Sequence, residues 1–147
     1  MRQEEATVYR KRFFEIYPGL KRWHDHERRA WQCGATETRT LTGRRRMNVE
    51  KLTDRLNAPI QGTGADGLKV ALALLWERRG ECPGAVPVLV CHDEVVVECD
   101  AERAADAKAW LEKAMIAGMD AVLNGADEGH VLIEVEGRIV RSWGEGG

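Results

Sequence analysis

The sequence predicts an α+β fold: a helical N-terminal segment, then an antiparallel layer of one hairpin and a C-terminal strand, with helices packed on one face. Three observations predict it. Apolar residues recur at spacings of three and four over several long stretches, the mark of amphipathic helices. Two β-rich runs, 86–91 and 95–99, stand either side of three polar residues, which is a hairpin pattern. The stretch 131–140 alternates apolar and polar residues with the period of a half-buried strand. Helix, hairpin, helix and strand in that order give an antiparallel α+β layer.

The first helix is expected from Glu4 to Ile16, with Val8, Phe13, Ile16 and Tyr17 at the apolar positions. Pro18-Gly19 breaks it, and a second helix runs from Leu20 to about Gln32, ended by Cys33-Gly34. The threonine-rich alternation from Ala35 to Leu41 reads as a short strand or ribbon, closed by Thr42-Gly43 and the triplet Arg44-Arg45-Arg46. A polar connector, with helix as one reading of it, follows from Asn48 to Leu56. The segment Asn57-Ala58-Pro59-Ile60-Gln61-Gly62-Thr63 holds too many turn formers to be regular structure. Thr63-Gly64-Ala65-Asp66 then fits an acidic capping box. It opens a helix through Leu68, Ala71, Leu72, Leu75 and Trp76, closed by Arg78-Arg79-Gly80 with cations at the negative end of the dipole.

Pro83-Gly84 turns the chain into the hairpin, Val86 to Cys91 and Val95 to Cys99, with the tip His92-Asp93-Glu94. Asp100 is placed to cap a third long helix, Ala101 to about Leu123. Its apolar face uses Ala104, Ala107, Leu111, Ala114, Met115, Met119 and Val122. A polar loop with a solvated His130 leads to the alternating stretch Val131–Val140. Trp23, Trp31, Trp76, Trp110 and Trp143 are expected as core or half-buried anchors, because no run interleaves them with basic residues as a single-strand-binding surface would.

The length of 147 residues suits one ordinary domain, and the 44% hydrophobic content permits a core. The net charge of -2 hides an uneven split. Residues 1–56 hold 14 Lys+Arg against 8 Asp+Glu, whereas residues 57–147 hold 8 against 16. Such a split fits a phosphate-facing surface beside a carboxylate-rich one, or simply two solvated faces of opposite sign. The four cysteines, at 33, 82, 91 and 99, have neither zinc-site nor disulfide spacing, and Cys91 and Cys99 read as small buried hydrophobes. A reducing cytosol suits them. No apolar stretch approaches the ~20 residues of a membrane span.

Chemistry is concentrated at the hairpin tip. Tight hairpins favour Asn-Gly or Asp-Gly, yet here two consecutive carboxylates follow a histidine. Adjacent carboxylates repel unless a cation holds both ionised, and a hard divalent ion such as magnesium or manganese is the natural one. A solvated acidic turn is the plainer alternative.

Four segments in one order resolve that choice: Tyr17-Pro18-Gly19, Thr42-Gly43-Arg44-Arg45-Arg46, Asn57-Ala58-Pro59-Ile60-Gln61-Gly62-Thr63-Gly64-Ala65-Asp66, and His92-Asp93-Glu94 between valines. Together they resemble family A DNA polymerases, over the C-terminal portion of that family's catalytic domain. The resemblance implies the end of the fingers and a connector over 1–56, and a palm-like sheet with its His-Asp-Glu hairpin over 57–147. It implies that Asp93 binds the catalytic metal, that Glu94 supports it, and that His92 contacts the primer near its 3′ end. Asn57 and Gln61 resemble the polar pair that tests duplex shape in the minor groove, where acceptors are similarly placed in every correct pair. Arg44, Arg45 and Arg46 would contact phosphates or brace the palm against its own carboxylates. The implied partners are primer-template DNA and deoxynucleoside triphosphates, and the implied cofactor is Mg2+, as a two-ion site in the complete domain.

The family's other metal-binding aspartate, in a motif like Asp-Tyr-Ser-Gln-Ile-Glu, has no counterpart in this sequence. The helix with the nucleotide-gripping lysine has none either. The chain alone is therefore expected to be inactive, whether as one part of a split polymerase completed by a second polypeptide, as a non-catalytic nucleic-acid-binding remnant, or as a fragment of a longer reading frame. Arg55 is the nearest candidate for a primer-contacting arginine in the short connector. A small metal-dependent hydrolase built on His92, Asp93, His24 and His26 ranks lower, because His24 and His26 point to different faces of a helix.

Overall fold

The computed structural model describes residues 3–125 and 131–145, and the chain divides into two compact units, Met1–Ile60 and Gln61–Gly147. The helices are α1 Gln3–Ile16, α2 Pro18–Gln32, α3 Leu52–Glu77 and α4 Ala104–Leu123. The strands are β1 Thr38–Arg39, β2 Arg45–Arg46, β3 Val86–Cys91 and β4 Glu94–Glu98. They form two small antiparallel sheets, β1-β2 and β3-β4, so the α+β class holds.

In the first unit, Pro18 ends α1 and starts α2, where its missing N–H is one of those a helix start leaves unbonded anyway. The Phe14 ring meets His24 edge-on at 5.2 Å, and the Arg10 guanidinium lies over the Phe14 ring at 5.5 Å. No described residue of α1 is buried, and Tyr9, Phe13 and Ile16 are exposed. The β1-β2 ribbon pairs Thr38 with Arg46 and Arg39 with Arg45. Its tip is closed by the Gly43 amide donating to the Thr40 carbonyl at 2.9 Å, with Gly43 at φ 86, a conformation glycine adopts without penalty. Behind the ribbon lies the buried Arg55. Its Nε stands 2.6 Å from Glu27 Oε2 on α2, and its Nη1 donates to the carbonyl oxygens of Ala35 at 3.2 Å and Glu37 at 2.7 Å. One side chain thus ties α2, the ribbon and the start of α3.

The expectation of irregular structure over 57–63 is overturned. Helix α3 runs unbroken through Pro59, Gly62 and Gly64, and Thr63 lies in its middle rather than at a cap. A proline in a helix interior costs about 3 kcal/mol and each glycine about 1 kcal/mol relative to alanine. Burial decides against these penalties. Arg55, Ala58, Thr63, Ala71 and Leu75 are all buried at helical spacings, so the tertiary environment holds a helix that local propensity would not.

The core of the second unit gathers Leu75 of α3, Cys82, Ala85, Val95 of β4, and Ala107, Trp110 and Ala114 of α4. Helices α3 and α4 approach closely where they have no side chains to separate them. A Cβ on Gly118 would lie 2.5 Å from the Ala71 nitrogen, and one on Gly67 2.6 Å from Met119 Sδ. The Trp110 indole donates to the Arg78 carbonyl at 3.2 Å, at the end of α3.

Four further expectations are corrected. A 3-10 turn, Ala101–Arg103, precedes α4, and the Asp100 side chain makes no capping bond. Val131 to Val140 forms no strand, because a strand requires a ladder and no described segment pairs with it. The alternation is still expressed in burial: Ile133, Val135 and Gly137 are half-buried between exposed neighbours. The segment is held instead by side chains, the Gly137 amide donating to Glu112 Oε1 at 2.8 Å and the Val131 amide to Asn124 Oδ1 at 2.8 Å. Trp31, Trp76 and Trp143 are exposed, at 40%, 69% and 56%, whereas Trp110 alone among the tryptophans is buried. Cys91 is exposed rather than buried, while Cys82 fills the core. His130 lies outside the described residues. No helix among the described residues is long and apolar enough to cross a membrane.

Candidate nucleic-acid interface

The hairpin register fixes the geometry of the acidic tip. Cys91 pairs with Glu94, so the loop is two residues long, His92 and Asp93, and Glu94 belongs to β4 instead of the tip. Two-residue hairpins require positive φ where the strands reverse, and glycine or asparagine usually supplies it. Here His92 does, at φ 55. A side chain that is neither glycine nor asparagine in this region stores strain on the order of 1–3 kcal/mol, and such strain concentrates at functional positions. Asp93 follows at the apex. His92, Asp93 and Glu94 are all exposed, whereas Val95, the next residue, is buried and anchors β4 in the core. The tip is therefore a carboxylate held out into solvent on a strand whose far side is fixed.

Magnesium takes hard oxygen ligands in octahedral geometry, and Asp93 and Glu94 offer such oxygens on adjacent residues. No third His, Cys, Asp or Glu joins them in a group able to hold a metal ion among the described residues. Among the described residues the tip thus offers two neighbouring carboxylates and no larger cluster of donors.

Asn57 is exposed on the part of α3 that belongs to the first unit, and Gln61, four residues further along the same helix, is exposed on the second. The unexpected continuity of α3 makes both of them helix-borne side chains rather than loop residues. Arg44, Arg45 and Arg46 are exposed around the ribbon tip and β2. Glu37 organises this ribbon: its carboxylate meets Arg39 at 2.8 Å and Arg45 at 3.5 Å. Arg45 thus pairs with a carboxylate of its own ribbon, and not with one of the segment from 57 onwards. Arg55 is no primer contact, since its guanidinium is consumed by Glu27, Ala35 and Glu37. Sequence reasoning missed Glu37 and Glu27 as the residues that set the arginines in place. The alternation Glu37-x-Arg39 was the available signal for the first, and a buried Glu27 on an otherwise polar helix left none.

His24, part of the lower-ranked hydrolase alternative, has its ring 5.2 Å from those of Phe14 and Trp23, and among the described residues no group of three or more His, Cys, Asp or Glu gathers to hold a metal ion.

Residues 1–145 match the model of DNA polymerase family A. The chain is 40% identical over 143 residues to DNA polymerase I of Aquifex aeolicus, covering 95% of this chain and 24% of that protein. It is 33% identical over 156 residues to the thermostable DNA polymerase I of Thermus aquaticus, covering 95% of this chain and 17% of that protein. Among solved structures it is similar to the POL domain of Pol1 from M. smegmatis in complex with DNA primer-template and dNTP. That likeness has a TM-score of 0.65 at 26% identity and covers 80% of this chain and 23% of the other. The chain therefore spans about a quarter of the length of these relatives or less. An acidic hairpin tip, a helix-borne Asn-Gln pair and a basic ribbon stand in one sequence that matches along nearly its whole length, and the chain belongs to DNA polymerase family A.

Proposed function

We propose that this chain is the C-terminal part of a DNA-directed DNA polymerase, that it acts in template-directed nucleotidyl transfer, and that it does so only when a second polypeptide completes the domain. The observation that carries the reading is the tip itself: Asp93 exposed at the apex of a two-residue turn whose first residue is a strained histidine. In this reading Asp93 is a ligand of Mg2+, Glu94 supports it, and His92 lies against the primer near its 3′ end. Asn57 and Gln61 follow the minor groove, and Arg44, Arg45 and Arg46 meet backbone phosphates. Primer-template DNA and deoxynucleoside triphosphates are the partners, in keeping with what the M. smegmatis relative holds. The cytoplasm is the compartment this implies.

The two-metal chemistry of the family belongs to the completed domain, where a pair of ions assists the attacking and leaving oxygens. The sequence has no segment resembling the family's other aspartate motif, which supports the proposal of inactivity in isolation. A titration of the purified chain with fluorescent primer-template, with and without Mg2+, in wild type and Asp93→Ala, tests the reading. Salt-sensitive binding that magnesium strengthens only when Asp93 is present is expected. Magnesium-dependent primer extension by the pure chain would refute the need for a partner. Binding indifferent to both the ion and Asp93 would favour a non-catalytic nucleic-acid-binding remnant.

A further inference from the structure

We infer that Arg39 and Arg45 form one binding site for a phosphate group of a nucleic-acid backbone, and that Glu37 is the built-in competitor for that site. The inference deepens the proposed nucleic-acid-binding role of the ribbon and rests on it. It adds Arg39 as a phosphate ligand and Glu37 as the residue that sets the affinity. The ladder places Arg39 directly opposite Arg45, and like charges so opposed destabilise a strand pair. Glu37 stands two residues before Arg39, on the same face of the chain where it runs extended. Its Oε1 lies 2.8 Å from Nη2 of Arg39 and its Oε2 3.5 Å from Nη1 of Arg45. One carboxylate oxygen thus serves each arginine.

Exposure separates the three side chains. That of Glu37 is 30% exposed, whereas those of Arg39 and Arg45 are 56% and 58% exposed. Thr38 and Thr40, on either side of Arg39, are buried and hold β1 down by its other face. The Glu37 carbonyl accepts from the buried Arg55 at 2.7 Å, so the backbone beneath the carboxylate is fixed as well. Two cations are therefore presented to solvent from an anchored ribbon, over a carboxylate more sheltered than either.

The chemistry of the pair selects its ligand. Guanidinium groups match the oxygens of a phosphate or a carboxylate. A phosphodiester carries two unesterified oxygens on one centre, as the Glu37 carboxylate does, and so can take the same two contacts. Charge favours the phosphate polymer. Residues 37–46 hold four arginines, Arg39, Arg44, Arg45 and Arg46, against the single carboxylate of Glu37, and a backbone of successive phosphates answers such a run. The two ion pairs oppose binding, because they must be broken or shared when a phosphate arrives. Exposed pairs are weak, so Glu37 tempers the affinity without abolishing it.

The test measures binding of a short labelled primer-template duplex to the full chain by fluorescence anisotropy. Glu37→Gln keeps the side chain's size and removes its charge, and binding should tighten about three- to fivefold. Arg39→Ala should weaken binding and lower the slope of log affinity against log salt by about one, as the loss of a phosphate contact does. In a chain carrying both Arg39→Ala and Arg45→Ala, adding Glu37→Gln should gain nothing. That arm separates competition at this site from the general effect of deleting a negative charge. The Trp31 indole N–H, bonded to the Glu50 carbonyl, reports that each variant keeps the first unit folded. A gain that survives the loss of both arginines, or no gain while the duplex still binds, would overturn the inference. So would a poly-glutamate peptide that binds as tightly as the duplex. Sodium phosphate is the second probe, read at the Nε–H resonances of Arg39 and Arg45 in Glu37→Gln. Joint movement of the two in a chain that binds no duplex would support the phosphate site and refute the nucleic-acid reading. No movement and no duplex binding would refute both.

Discussion

Replacing Arg55 with alanine tests whether one buried side chain organises the first unit. Arg55 and Glu27 have side chains only 7% and 11% exposed, and they are joined at 2.6 Å. The contact satisfies the two atoms by charge rather than by a linear hydrogen bond, since both also count as lacking a hydrogen-bond partner. Removing the arginine leaves a buried carboxylate uncompensated and strips the Ala35 and Glu37 carbonyls of a donor. Breaking a buried pair from one side costs about 3–5 kcal/mol, a large share of the roughly 5–15 kcal/mol by which a domain is stable. The Trp31 indole donates to the Glu50 carbonyl at 2.8 Å, so its N–H resonance reports this unit alone during urea titration. A fall of about 3 kcal/mol or more at that probe is expected. Arg55→Met with Glu27→Met should recover most of it, because apolar replacement of both partners is often neutral. A loss below about 1 kcal/mol for Arg55→Ala would refute the clamp, since that is the range of a solvated surface pair.

Three other perturbations follow from the same geometry. His92→Gly should stabilise the chain by about 1 kcal/mol in chemical denaturation, because it relieves a positive φ that histidine holds at a cost; it should also weaken primer-template binding, and no gain in stability would mean that the turn is unstrained. Gly118→Val should cost about 3 kcal/mol or more, since its Cβ would lie 2.5–2.7 Å from backbone atoms of Ala71 that cannot step aside; a thermal melt close to wild type would show that α3 and α4 are not in contact there. The Lys108 side-chain hydrogen bond, and after it the Gly137 amide, hold the Glu112 carboxyl below its ordinary range. Because its folded value is depressed, the tether is fully present above the ordinary glutamate range and is lost as pH falls through the lower folded value. The Gly137 amide resonance should therefore move only in acid, below that range, and a midpoint at or above the ordinary glutamate value would contradict the contact.

Much of the site was legible in the sequence because its signals are local. A hairpin with an acidic tip follows from strand-forming runs and turn chemistry, and Arg44–Arg46 from simple charge. The 57–66 segment was misread for the opposite reason. Its Pro59, Gly62 and Gly64 are local signals for a turn, and the signal that defeats them, burial of one face over Ala58, Thr63, Ala71 and Leu75, is tertiary. The buried Glu27 was invisible for a similar reason, since nothing in a polar helix marks which charge is turned inward. On α4 the periodicity worked, and Ala107, Ala114 and Val122 are buried as expected. Gly118 escaped the apolar count because its contribution is the absence of a side chain.

The positions that read as core and yet lie bare share one property. Val86, Val88 and Val90 on β3, Trp76, Trp143, and Phe13 and Ile16 on α1 are all apolar residues with little over them. Apolar patterning is written for the burial that the working molecule achieves, whereas the burial seen here is what this chain achieves alone. Helix α4 agrees with its pattern because what it packs against, α3 and β4, lies in the same unit. Strand β3 disagrees because no described segment covers it. A solvated protein keeps large contiguous apolar patches few, and β3, with Val86, Val88, Leu89 and Val90 exposed, departs from that habit. On that argument the misread residues are not noise in the sequence. On the proposed reading they are apolar surface that the rest of a polymerase domain would cover.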